Sequence, residues 1–280
     1  MASNNYIIKY TNLFLNKIFN PFNYFVSISA KRDMFHSSIE GINFILTKKV
    51  KRKGLNLNVG CGNYLIDGFK NLDFYSEGYY PNKKIFLKER IEYDIRSQNI
   101  PYKDNTVDNI YCCHVVEHIE TEYVEKFFKE SFRVLKKGGV LRIVCPDSEF
   151  LYSVLSFKND WLNWNKTQDH TISNSNWEFF VEEMANHKLN LENYGLKYPI
   201  ETYDYKDLLK ELRTNPIFDI SNVGKHINNW DFNRLASFGH KFNFSKIINS
   251  KSGGCISFEM QGPDIDTYFK EFSVCVDFLK

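Results

Sequence analysis

"LNLNVGCGNYLIDGFKNLDF" (Leu55–Phe74) decides how the rest of the chain is read. Leu55–Val59 is an apolar, strand-like run. It ends in the turn Gly60-Cys61-Gly62, and Asn71–Phe74 reads as a second strand carrying Asp73 near its end. A strand closing on Gly-x-Gly brings backbone close to a nucleotide. The dinucleotide fingerprint, however, wants a third glycine and an acid about 20 residues on. Here position 65 is Leu, and Asp73 follows Gly62 by only 11 residues (73 − 62). A full crossing helix hardly fits in that gap, and with it goes the helix that would clamp a pyrophosphate. The expected ligand lacks paired phosphates but keeps a ribose whose hydroxyls Asp73 can hold.

Working outward, residues 55–150 alternate strands and helices, which implies a parallel sheet. Ile91–Tyr93, Val107–Cys113 and Val140–Val144 read as further strands. Thr121–Leu135 has Val124, Phe127, Phe128, Phe132 and Leu135 at near-helical spacing and stops at "KKGG". Residues 1–54 read as an amphipathic helical extension. Its apolar run Leu13–Ile28 is broken by Lys17, Asn20, Pro21 and Asn23 and is expected to cover a domain edge rather than rest on a membrane. Residues 151–228 lose the β/α rhythm and read as an inserted helical cap, with Trp161, Trp164 and Trp177 as core or acceptor-stacking residues. Residues 229–280 return to the core: a helix Trp230–Ser237 ending before Gly239, a strand over Lys241–Asn249 and a closing strand Phe272–Leu279.

Composition narrows the function. The 280 residues include 36 basic and 34 acidic side chains, a net charge of +2, so no global positive field recruits nucleic acid. No stretch approaches the roughly 20 apolar residues of a membrane span, and no secretory layout is visible. The six cysteines (61, 112, 113, 145, 255 and 275) form no CxxC and read as buried, reduced thiols of a cytoplasmic protein. Oligomeric state is not legible.

Four stretches together carry a family resemblance: the opening segment, "YDIRSQNIPYKDNTVDNIYCCHVVEHI", "SFRVLKKGGVLRIVCPD" and "FSVCVDFLK". With them the chain resembles class I S-adenosylmethionine-dependent methyltransferases, most closely the branch associated with polysaccharide biosynthesis. The resemblance implies a Rossmann-like, seven-stranded α/β sheet, mostly parallel with an antiparallel last strand, and S-adenosylmethionine as cofactor. It places Gly60, Cys61 and Gly62 under the methionine half and Asp73 on the ribose. Asp94 and Ile95 fall at the adenine, and Cys113 and His114 beside the cofactor's amino group. Asp73 can also be read as a turn or cap residue, Asp94 as the partner of Arg96, and Ile95 as plain core.

Methyl transfer to a hydroxyl needs alignment and benefits from a general base. In "HVVEHI", His114, Glu117 and His118 fall on one helical face, and His118 is the leading acid/base candidate. The stretch also resembles the E-x-x-E-H metal motif of ubiquinone-pathway and small-RNA methyltransferases, but with His114 in place of the first acid. A divalent ion held with a distant histidine is a lesser option, and no metal is assigned. His226 in "NVGKHINNW" and Asp147 in "CPD" are further catalytic candidates, Asp147 doubling as a helix cap. His170 and His187 read as surface residues.

The function expected is methylation, most simply of oxygen, of a small molecule. The resemblance points to a sugar, a nucleotide-activated sugar or a phosphoryl group, phosphoramidate included, used in bacterial capsule or surface polysaccharide. The alternatives are a non-catalytic S-adenosylmethionine-binding module and, against the glycine-to-acid spacing, a nicotinamide-dependent oxidoreductase.

Overall fold

The computed structural model describes residues 24–32, 39–48, 52–154, 176–188, 204–216, 218–262, 264–266 and 272–280. The chain divides into two compact units, with residues 1–51 in one and 52–156 and 174–280 in the other.

In the first unit, β1 (Tyr24–Arg32) and β2 (Ile39–Lys48) pair antiparallel, from Tyr24 opposite Lys48 to Arg32 opposite Ile39, with an irregularity between Lys31 and Arg32. This corrects the helical reading of these residues. Val26, Ile28 and Ala30 alternate with Phe25, Ser27 and Ser29, a period of two, and Ile39, Ile42, Ile45 and Thr47 are β-branched and lose χ1 freedom in a helix.

The second unit is built on a seven-stranded sheet ordered β5-β4-β3-β6-β7-β9-β8. Its strands are β3 (Asn56–Val59), β4 (Lys70–Asp73), β5 (Ile91–Glu92), β6 (Val107–Cys113), β7 (Leu135–Pro146), β8 (Lys246–Ser250) and β9 (Ser273–Leu279). β3 to β7 run parallel, and β9 lies antiparallel between β7 and β8. Residues 60–69, the first crossover, contain no helix, as the glycine-to-acid spacing required.

The two faces of the sheet are covered differently. One is apolar: Leu57, Val59, Leu72, Ile110, Cys112, Leu141, Ile143, Val276 and Phe278 point at α2 (Thr121–Val134) and α6 (Phe232–Lys241). Val124, Phe127 and Phe128 supply the buried stripe of α2, and Phe128 stacks edge-on against Phe278 at 5.1 Å between ring centres. α6 starts at Asp231, whose carboxylate accepts from Arg234 N–H, and runs through Gly239 instead of stopping before it. A Cβ at Gly239 would sit 2.7 Å from both Ile247 and Phe278, so this glycine is a packing notch, not a stop signal. Of the expected 241–249 strand only residues 246–249 are extended, the strand running on to Ser250, because α6 occupies the chain up to Lys241.

The opposite face is covered largely by loops, and buried polar groups follow. Asn58 Nδ2 donates to Tyr64 O and Asn71 Oδ1, and Asn109 Nδ2 donates to Asn56 Oδ1. Arg142 is fully buried between Asp277 (2.5 Å) and Asp266 (2.6 Å) and also donates to Lys251 O. Loop backbone needs hydrogen-bond partners when it is buried, and this face supplies them as amides and one ion triad.

Between β7 and α6 the described residues include α3 (Ser148–Val154), α4 (Asn176–Ala185), a 3-10 turn Asn186–Lys188 and α5 (Tyr205–Arg213). Phe179, Phe180, Val181, Met184, Leu208, Leu209 and Leu212 are buried there. Trp161, Trp164, His170 and the side chain of Trp177 lie outside the described residues. A further short helix, α1 (Lys83–Glu89), follows β4; Asn82 Oδ1 caps it by accepting from Ile85 N–H.

Candidate active site

A cleft opens at the carboxyl ends of β3, β4, β5 and β6, where open α/β sheets bind ligands. Its empty space, counting the open mouth, is about 800 Å³, and each strand contributes the residues at its tip: Gly60 and Gly62, Asp73 and Phe74, Asp94–Arg96, and His114 with Val115. His118, Phe218, Val223 and Gly224 complete the walls.

The glycine turn is locked beneath the cleft. Gly60 and Cys61 N–H both donate to Leu72 O, and Gly60 has φ +67°. A Cβ there would be 2.3 Å from Val115, so only glycine fits. Gly62 N–H donates to Asp73 Oδ2 at 2.7 Å. Cys61 is buried with its thiol pushed up to about 12, first by burial and then by the Asp73 charge, so it is an inert filler.

Asp73 ends β4 as expected, but it is more heavily engaged than the sequence suggested. Oδ2 also accepts from Tyr80 Oη (2.8 Å), while Oδ1 accepts only from Phe74 N–H (2.8 Å). Burial raises its pKa, and the three donors act against that. Oδ1 is thus the oxygen with capacity for ribose hydroxyls. Arg90 supports the arrangement by donating to Gly62 O and lying 4.9 Å over the Tyr80 ring. Nothing in the chain's periodicity marks Tyr80 or Arg90; their role arises because α1 folds back across the turn.

Asp94 lines the cleft and pairs with Arg96: Oδ1 accepts from Arg96 N–H and Nε–H, and the Oδ2 contact is long at 3.4 Å. The Arg96 guanidinium lies 3.5 Å from the Phe218 ring centre and 5.3 Å from that of Phe74. With Ile95, these groups line one end of the cleft. Phe218 arrives from beyond α5, a wall that no local sequence signal announced. Cys113 ends β6 beside His114, and its side chain packs on the loop-covered face near Tyr111 and Cys275.

The residues after β6 form a compact polar cluster. His114 adopts φ +53°, a left-handed conformation uncommon for a non-glycine residue and often found at functional sites. Its Nε2 contacts Ser273 Oγ at 3.0 Å, and its Nδ1 lies 3.0 Å from Glu117 Oε1. The expected helical face here is a single 3-10 turn, Val116–His118. Glu117 is 1% exposed. Burial opposes its charge, but His114, His118 and His226 outweigh that and hold its carboxyl down near 2. His118 Nδ1 donates to Lys225 O and His226 Nδ1 to Glu183 O, which leaves both Nε2 atoms with free lone pairs. The two rings meet edge-on at 4.7 Å between centres. Burial keeps His226 neutral, with a pKa near 4, and raises Glu183 to about 8.

The structure thus brings His114, Glu117, His118 and His226 together, the last from 108 residues beyond His118 (226 − 118). It does not bring Asp147 to the cleft. Asp147 Oδ1 caps α3, accepting from Glu149 and Phe150 N–H. His187 is half-buried, with Nδ1 donating to His226 O, so it is not a surface residue.

Residues 71–143 match the family model described as a methyltransferase domain, spanning β4 to β7 and most of the cleft. An uncharacterized protein of Methanocaldococcus jannaschii is 31% identical over 133 residues, which cover 45% of this chain and 56% of that protein. Solved structures resembling the chain include a possible histamine N-methyltransferase of Thermotoga maritima (15% identity, TM-score 0.41, 82% of this chain and 83% of that one). A Pyrococcus horikoshii protein is similar at 19% identity and TM-score 0.43, covering 82% of each chain. The sheet order and the placement of the cleft define the Rossmann-like α/β fold of class I methyltransferases. Among the described residues no helix is long and apolar enough to cross a membrane.

Proposed function

We propose that this chain is an S-adenosylmethionine-dependent methyltransferase acting on a small molecule. The observation carrying this reading is the side-chain-free turn at Gly60 and Gly62, hydrogen-bonded to Asp73 at the mouth of the cleft. The residues suit the cofactor. Gly60 and Gly62 leave a cradle that a side chain would fill, Asp73 Oδ1 accepts from ribose hydroxyls, and Phe74, Ile95, Arg96 and Phe218 hold a purine face. Asp94 Oδ2 is placed to accept from an exocyclic amine. His114 closes the methionine end. When bound, S-adenosylmethionine supplies an electrophilic methyl group on its sulfonium.

The acceptor enters from the side of His118. Removing the proton of a hydroxyl acceptor falls to the cluster of Glu117, His118 and His226, whose imidazoles present free nitrogens near the cleft. Positioning alone serves an already anionic phosphoryl oxygen. The acceptor class follows the resemblance to the polysaccharide-associated branch: a sugar, a nucleotide-activated sugar or a phosphoryl or phosphoramidate group, with oxygen as the simplest methylated atom. The six cysteines are free, five of them buried, which suits work in the cytoplasm.

Calorimetric titration with S-adenosylmethionine, its demethylated product and NAD tests the cofactor. Mass spectrometry of a panel of nucleotide sugars, sugar phosphates and phosphoramidates then tests transfer. Micromolar binding of the first two ligands and a product 14 mass units heavier (one CH₂) support the reading. NAD binding alone overturns it, and cofactor binding with no transfer to any of the panel marks a binding module.

A further inference from the structure

We propose that Glu117, His118 and His226 form a binding site for one divalent transition-metal ion beside the cleft. Each side chain offers one ligand atom, and the three atoms lie within 4.8 Å of one another. Glu117 Oε1 and His118 Nε2 are 3.9 Å apart. Ligands sharing a cation at about 2.1 Å stand roughly 3.0–3.4 Å apart.

Three independent features point to a ligand. First, both imidazoles are oriented for the role. Each donates Nδ1–H to a backbone carbonyl, Lys225 O or Glu183 O, which fixes the tautomer and turns an Nε2 lone pair toward the cluster. Metal-binding histidines are held in this way by their second nitrogen. Second, Glu117 is buried and Oε2 has no hydrogen-bond partner among the described residues. His114 approaches only Oε1, so it leaves the second oxygen unanswered. Third, the backbone braces the site across the fold: Ile227 and Asn228 N–H both donate to Glu117 O, tying the His226 segment to the Glu117 turn.

Two imidazoles and one carboxylate favour zinc, manganese, iron(II) or cobalt(II) over magnesium or calcium, and leave coordination positions open. His118 also lines the cleft, so an open position lies on the acceptor side. Taken with the proposed methyl transfer, on which this part rests, an acceptor hydroxyl bound at the ion would lose its proton to water at the open mouth of the cleft, and its oxygen would then take the methyl group as the S–CH₃ bond breaks and the sulfonium leaves as the neutral thioether. That cation then replaces free histidine as the means of generating the nucleophile. The preferred acceptors would carry an oxygen able to ligate a cation: a hydroxyl flanked by a second oxygen, or a phosphoryl group.

The full chain, stripped with chelator and dialysed, is titrated with Co²⁺ alone while visible absorption and heat are recorded. One equivalent should bind with d–d bands characteristic of nitrogen and oxygen ligands. His118→Ala and His226→Ala should each weaken binding at least tenfold, and Glu117→Gln likewise, whereas the His240→Ala control should not. A wild-type experiment guards against misfolded variants: carbethoxylation mapped by mass spectrometry, with and without Co²⁺. The ion should protect His118 and His226 and leave His240 reacting at its original rate. Absence of a saturable single site, or unchanged reactivity of His118 and His226, overturns the proposal. The titration uses no S-adenosylmethionine, so failure of the cofactor to bind would strike the methyltransferase reading and leave the metal result standing.

Discussion

Replacing Asp73 with Asn keeps the shape of the side chain and removes its charge. In the folded protein Oδ2 accepts from Gly62 N–H and Tyr80 Oη, and Oδ1 from Phe74 N–H. If the amide oxygen takes the Oδ2 position, the new NH₂ faces Phe74 N–H and cannot accept from a ribose. If the amide flips, the NH₂ confronts Gly62 N–H instead. Either way the ribose loses a charged acceptor, worth about 1.5–3 kcal/mol, or roughly 10- to 150-fold in dissociation constant. Folding should respond much less. Burial already raises the Asp73 pKa, so the carboxylate is held at a cost that the neutral amide avoids. The signature is therefore a split: weakened S-adenosylmethionine binding by calorimetry, with a thermal midpoint close to wild type. An unchanged dissociation constant would remove Asp73 from the ligand site, and a collapse of thermal stability would make it a purely structural residue.

His118→Ala should lower turnover at least tenfold in the acceptor assay while leaving cofactor affinity near wild type; unaltered turnover would dismiss the cluster from the chemistry. Arg142→Met strands Asp266 and Asp277 as buried, unpaired carboxylates and should cost about 3–5 kcal/mol in urea unfolding; a loss under about 1 kcal/mol would show that the triad is not desolvated. Gly60→Ala forces a left-handed alanine, roughly 1–2 kcal/mol, and displaces Val115, so both stability and cofactor binding should fall. Glu130 is held below its ordinary 4.5, chiefly by hydrogen bonds from Arg133. Its ionised form thus stabilises the fold above about pH 4.5, and that contribution drains as the pH falls toward the lowered value. Glu130→Gln should flatten the acid limb of a stability–pH curve; an identical limb would refute the assignment.

The sheet was readable from sequence because its signals are local. Val107–Cys113 and the Thr121 helix follow from periodicity, and the missing first crossover helix follows from counting residues between Gly62 and Asp73. Reading 24–32 and 39–48 as helical failed where aliphatic residues fit both periods and the β-branched content should have decided. Gly239 misled because a notch for Phe278 and a helix stop look alike in one dimension. Of the site, the strand tips were visible and the outer wall was not. Tyr80, Arg90 and Phe218 reach the cleft through loops whose paths no pattern encodes. His226 was a candidate, but its contact with His118 depends on the return of the chain at Ile227 and Asn228, which bind the carbonyl of Glu117.

The loop-covered face of the sheet gives the molecule an unusual thermal character. Exposing hydrocarbon on unfolding raises heat capacity, whereas exposing amides and ions lowers it. One side of this sheet releases phenylalanines and leucines, and the other releases asparagines and a guanidinium between two carboxylates alongside a smaller apolar set that includes Ile66, Phe69, Val144 and Met260. The contributions partly cancel, so stability should vary more gently between cold and warm than in a sheet of equal size sandwiched by helices.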